Sequence, residues 1–119
     1  MFKKLKPIYF ENSKVPVFLS YFSPININAI TLVFFVFSRG KLGDRVRNHE
    51  RIHFQQYLEC LIVPFLILYV LDFIHGYIKY RDGKKAYSMI RFEQEAYSND
   101  SNLDYAETRK RFAWLWYKI

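Results

Sequence analysis

Cysteine is nearly missing from these 119 residues: Cys60 is the only one, so no internal disulfide framework can brace the chain. It lies in an apolar run, where a free thiol behaves as a small buried hydrophobe. Internal repeats, low-complexity tracts and the familiar motifs of nucleic-acid readers are also absent. The basic start Met1-Phe2-Lys3-Lys4 is followed by Pro7, Glu11, Asn12 and Lys14, which interrupt any apolar h-region, so no cleaved signal peptide is expected. A cytoplasmic or membrane-associated protein is the expectation. Acidic residues are the minority, 11 against 18 Lys and Arg, and the net charge of +7 calls for an anionic neighbour. A membrane surface and nucleic acid both fit that charge, and the missing reader motifs make nucleic acid the weaker of the two.

What the chain has in excess is aromatic surface, 20% of residues with 12 Phe and 10 Tyr. Its length suits one domain, 1–119, with a single modest core. Residues 7–21 read as short extended pieces, with Lys14-Val15-Pro16 breaking any helix, Val17-Phe18-Leu19 strand-like, and a turn at Ser23-Pro24. Residues 29–37 are β-branched and aromatic throughout, which predicts a strand apolar on both faces. The polar stretch 38–44 follows, with Asp44 as the expected N-cap of a helix over about 44–63.

A second, apolar helix is expected over about 64–80, with a kink or break near Pro64. Its hydropathy admits either a membrane-associated segment or a buried core helix, and Asp72 and His75, three residues apart, can pair on it. Arg81-Asp82-Gly83-Lys84 is a turn by composition. A helix over about 91–98 and a last helix over about 103–117, rich in Arg, Lys and Trp, complete the prediction. The expected class is α+β and α-rich: short N-terminal strands, including a β-hairpin, before three or four helices.

The constellation hardest to explain as packing is Asn48-His49-Glu50-Arg51-Ile52-His53-Phe54-Gln55-Gln56. On a helix His49 and His53 stack on one face, where two imidazoles can grip one metal ion. Glu50 lies one step around the same turn, placed to act as general base on a water at that ion. The alternative is two solvent-exposed histidines on a charged face beside Arg47 and Arg51. A catalytic zinc wants a third protein ligand, and the candidates downstream are His75 and the acids Glu59, Asp72, Glu93, Glu95, Asp100 and Asp104.

The HExxH sequence followed by Phe92-Glu93-Gln94-Glu95-Ala96-Tyr97 resembles the gluzincin side of the zincin metallopeptidases. It is also similar to short bacterial and viral proteins carrying HExxHxxQ and a later Phe-Glu-x-Glu-Ala-Tyr segment. The resemblance covers residues 48–56 and 92–97 and implies a minimal zincin-like core, a Zn²⁺ cofactor and a peptide or protein substrate. It implies Glu93 as third ligand beside His49 and His53, and Glu50 as catalytic base. Tyr97 stands where many gluzincins have an aspartate that braces a ligand histidine, so Asp100 or Glu95 is expected to supply that contact. His75, Tyr87, Tyr97 and Arg91 are candidates for an oxyanion partner.

Chain length tests the Glu93 expectation. An unbroken helix from His53 to Tyr80 would run roughly 40 Å, and a helical return to Glu93 would fall short by around half. A bend at Pro64 or Gly76, or a largely extended 84–91, is therefore required. If the histidines are incidental, the chain is a non-catalytic membrane-associated protein or, less readily, a basic nucleic-acid accessory protein.

Overall fold

Among the described residues three short strands, with one short helix between the first two, precede the remaining helices, an α+β fold that is mostly helical. The structure, a computed structural model, describes residues 6–20, 27, 29–32 and 34–119, and the expected turn at Ser23-Pro24 lies outside them. β1 (Ile8–Phe10), β2 (Ala29–Leu32) and β3 (Phe35–Ser38) form a mixed sheet in the order β1-β3-β2, with β1 parallel and β2 antiparallel to β3. The run 29–37 is thus two strands rather than the single one expected. Leu32 pairs with Phe35 at the end of the antiparallel ladder. Doubling back gives the run one covered face and one open face: Thr31 and Val36 are buried, while Phe35 and its neighbours Ile8 and Phe10 are exposed.

Residues 17–19, expected as strand, lie in α1 (Val15–Ser20). Pro16 occupies the first turn, where its missing N–H removes no helical hydrogen bond, and the Ser13 hydroxyl accepts from the Val15 N–H at 3.1 Å. Proline here starts a helix instead of breaking one.

α2 (Asp44–Glu59) carries the HExxH residues, and its N-cap is Gly43, one residue before the Asp44 expected there. Asp44 opens the first turn, where its charge faces the positive end of the helix dipole. The helix stops at Cys60, and Leu61 and Ile62 both adopt positive φ, 60° and 59°. That conformation is strained for β-branched Ile62, at a cost on the order of 1–3 kcal/mol. The gain is a sharp reversal. α3 (Val63–Tyr80) then starts with Pro64 in its first turn, so the proline marks a helix start, and of the expected kink or break it is a break that forms.

Only Phe65, Asp72 and Gly76 of α3 are buried; much of the helix is apolar yet open to solvent. The Asp72 partner is Arg91, through Nε and Nη2 at 2.9 Å each, rather than His75, which is exposed. Arg81 ends the helix in the left-handed region, and Asp82 caps α4 (Gly83–Met89) by accepting from the Lys84 and Lys85 N–H groups. Residues 83–89 are helical, so an extended 84–91 is not how the chain returns; the reversal at 60–62 does that work. At Gly76 a Cβ would lie 3.1 Å from the Ala86 Cα, so glycine lets α3 and α4 approach closely.

α5 (Arg91–Asn99) holds Glu93 and Glu95. Beyond it the expected helix over 103–117 is absent: there is one turn, α6 (Tyr105–Thr108), and a 3₁₀ turn over Ala113–Trp116. Arg109 leaves the helical path because its guanidinium is drawn inward to Glu59 and Glu95, each with a contact at 2.7 Å, and Phe112 then takes a positive φ of 57°. The core between α2, α3 and α5 is Tyr57, Cys60, Phe65, Ile90, Phe92 and Trp114. Burial pushes the Cys60 thiol up to about 11, so it stays protonated.

Arg109 ties α2, α5 and the C-terminal segment together, with the Glu95 side chain fully enclosed and that of Glu59 nearly so. Replacing it with methionine strands two buried acids, and the Arg109→Met variant is expected to lose about 3–5 kcal/mol. Urea denaturation reads this directly. An unchanged midpoint would remove the clamp from the account of stability.

Candidate metal centre

The two motif histidines face one point. His49 Nε2 and His53 Nε2 are 3.1 Å apart, and Glu93 Oε1 lies 3.2 Å from the first and 3.1 Å from the second. All three side chains are buried. Their donor atoms make a nearly equilateral triangle, close to the roughly 3.3 Å edge of a tetrahedron with metal bonds near 2.0–2.1 Å.

Hydrogen bonds on the outer ring nitrogens set the tautomers. Glu95 Oε1 and the Phe92 carbonyl both accept from Gln56 Nε2, at 2.9 and 3.1 Å, so the Gln56 carbonyl oxygen is turned toward His53. His53 Nδ1 therefore donates to Gln56 Oε1, at 2.8 Å, and Nε2 keeps its lone pair. At the other ring, Asp100 Oδ2 is 3.0 Å from His49 Nδ1, while Asp100 Oδ1 accepts from Arg45 Nε at 2.8 Å. Asn48 Nδ2 donates to the Asp100 and Asn102 carbonyls and pins the loop that carries this carboxylate. Tyr69 of α3 donates to Glu93 Oε2 at 2.6 Å and fixes the remaining oxygen.

Two imidazole lone pairs and a carboxylate oxygen converging in a buried space repel one another unless positive charge lies among them. A proton can do this: burial alone would lower His53, but the Glu93 charge and hydrogen bond outweigh it and raise the ring to about 9. Burial would likewise raise Glu93, yet the two imidazoles hold it well below the usual carboxylate range. A divalent cation supplies the same charge to an all-acceptor set, and the residues fit it.

Glu50 is buried beside this point, with Oε2 3.9 Å from His49 Nε2, farther than Glu93. Burial pushes its carboxyl above the ordinary range, against the pull of both histidines. Thr31 of β2 lies 3.0 Å from both the Glu50 backbone oxygen and Oε1, so the sheet positions this side chain. The Tyr97 ring packs edge-on to His49 with centroids 4.4 Å apart, and its hydroxyl is 3.2 Å from that of Tyr87. Tyr97 is half-exposed and marks the open side.

Of the residues singled out in the sequence, the structure brings together His49, Glu50, His53, Glu93, Asp100 and Tyr97. Glu95 lies one step back, bonded to Gln56, Tyr105 and Arg109. His75 is exposed on α3 and enters none of these contacts, and the Arg91 guanidinium is occupied by Asp72. Thr31, Gln56 and Tyr69 escaped the sequence reading. The Gln of HExxHxxQ was a signal for the second of them; the hydroxyls of Thr31 and Tyr69 had none, because they come from other elements.

No family model matches the chain, and no curated protein or solved structure does. What the structure defines is a buried His49-Glu50-His53 group able to hold a metal ion, with donor atoms all within 4.8 Å of one another.

If Asp100 and Gln56 set the two rings, removing either loosens the site while leaving the inner nitrogens in place. Asp100→Ala and Gln56→Met are each expected to weaken divalent-metal affinity by about 10–100-fold, measured by competition with a chelating dye. Wild-type affinity in both variants would show that the outer contacts do not govern the site.

Proposed function

We propose that the protein is a zinc-dependent metallopeptidase, with His49, His53 and Glu93 as metal ligands and Glu50 as general base. The observation that carries this reading is the convergence of three acceptor atoms from α2 and α5, 3.1–3.2 Å apart, with a further buried carboxylate facing the same point. Nitrogen and carboxylate donors suit Zn²⁺, which when bound acidifies water and polarises a substrate carbonyl.

Within that scheme Glu50 takes a proton from the attacking water as its oxygen bonds to the peptide carbon. As the C–N bond breaks, the same carboxyl returns the proton to the leaving nitrogen. The elevated affinity of Glu50 for protons, caused by burial, suits a group that must hold one between those steps. Tyr87, which burial and the Glu93 charge keep protonated, and Tyr97 offer hydroxyls on the open side for the developing oxyanion. Among the described residues β2 pairs only with β3. Its other edge can receive an extended peptide through main-chain hydrogen bonds, beside the Thr31 that holds Glu50.

Glu50→Gln keeps the shape of the side chain and removes the base. The variant is expected to retain about one equivalent of zinc while turnover of a quenched fluorescent peptide library falls about 10²–10⁴-fold. Undiminished turnover would remove Glu50 from the chemistry. A zinc-loaded wild type that cleaves no peptide would leave the metal a structural role.

A further inference from the structure

We propose that the open face of α3 docks on an anionic membrane, with the helix lying in the plane of the interface. Six apolar residues, Leu66, Ile67, Val70, Leu71, Ile74 and Ile78, are between 46% and 63% exposed. At about 100° per residue they fall within an arc of about 140°, and α3 is about 27 Å long. No charged residue falls inside that arc. A stripe so wide exceeds the narrow seam of a two-stranded coiled coil. The only acid on α3, Asp72, is buried against Arg91, so two copies would have no complementary charges along the seam.

The charge around the stripe fits an anionic lipid surface. Lys79, Arg81, Lys84 and Lys85 are exposed where α3 ends and α4 begins. Lys79 Nζ donates to the Ile119 carbonyl at 3.0 Å, which brings the C-terminal segment to the same end. That segment adds exposed Lys118 and Trp116, which is 84% exposed. Basic side chains over headgroups and a tryptophan at the boundary are the chemistry of an interfacial helix.

Crossing the bilayer is a poorer fit, although length and composition would allow it. The other side of α3 belongs to the domain: Tyr69 bonds Glu93, Asp72 bonds Arg91, and Gly76 abuts Ala86. A spanning helix would strand all three. Docking makes no demand on the metal or on peptide cleavage and stands apart from them.

The test is flotation of the full chain with vesicles of phosphatidylcholine alone or with 30% phosphatidylserine, a composition chosen at roughly the anionic level of a cytoplasmic leaflet. The protein is expected to float with the anionic vesicles, several-fold less with the neutral ones, and to be released by alkaline carbonate. Val70→Glu with Ile74→Glu changes exposed positions only; this variant is expected to keep its far-UV circular dichroism and lose at least tenfold in binding. Lys84→Gln with Lys85→Gln is expected to lose about fivefold per lysine. Any one of four results would overturn the proposal: wild type that stays down with anionic vesicles, a folded glutamate variant that floats like wild type, resistance to carbonate, or a vesicle-indifferent dimer that the glutamates dissociate.

Discussion

Three electron-pair donors from two helices are held about 3 Å apart in a space that water scarcely enters, and the rest of the structure serves that confinement. Like-signed lone pairs at such range need a cation or a proton among them, and low local polarity makes the need sharper. The sheet contributes Thr31 to hold Glu50; α3 contributes Tyr69 to hold Glu93; the loop after α5 contributes Asp100 to hold His49. Each inner atom has a partner on its far side. A site arranged this way needs little rearrangement to accept a metal ion.

The outer contacts are themselves anchored in charge. Glu95 is fully buried and accepts from Gln56, Tyr105 and Arg109, and Arg109 reaches on to Glu59 at the end of α2. This chain of contacts joins the His53 tautomer to the path of the C-terminal segment. Hydrogen bonds to charged groups are worth about 1.5–3 kcal/mol each when satisfied, and leaving one partner buried alone costs more. The same network that turns His53 therefore stops the helix predicted for residues 103–117: Arg109 cannot reach inward and continue outward along a helix.

The local code of the chain was legible wherever the determinant was local. Histidines four residues apart on a helical pattern put two imidazoles on one face whatever surrounds them, and the acidic α5 segment, the break near Pro64 and the burial of Cys60 were readable in the same way; of the turn read at Arg81 to Lys84, Gly83 and Lys84 belong to α4 instead. Misreadings fell where a residue has two uses. Pro16 read as a breaker because proline ends helices from inside, yet it sits in a first turn. Residues 29–37 were apolar on both faces because a hairpin, with one covered face and one open face, was hidden in them.

From sequence alone came the α-rich α+β class, the candidate ligands on α2 and the acids of α5, since these follow from spacing along one helix or from composition. The resemblance had named Glu93; only the tertiary structure decided that its carboxylate meets both histidines, that Asp100 rather than Glu95 braces His49 while the Gln56 amide faces His53, and that Asp72 belongs to Arg91. Partners separated by 40 to 55 positions are chosen by the reversal at Leu61 and Ile62 and by how the helices pack, and no periodicity in the chain carries that information. The open side of α3 was settled in the same way: an apolar helix reads alike whether it is covered or bare until its neighbours are in place.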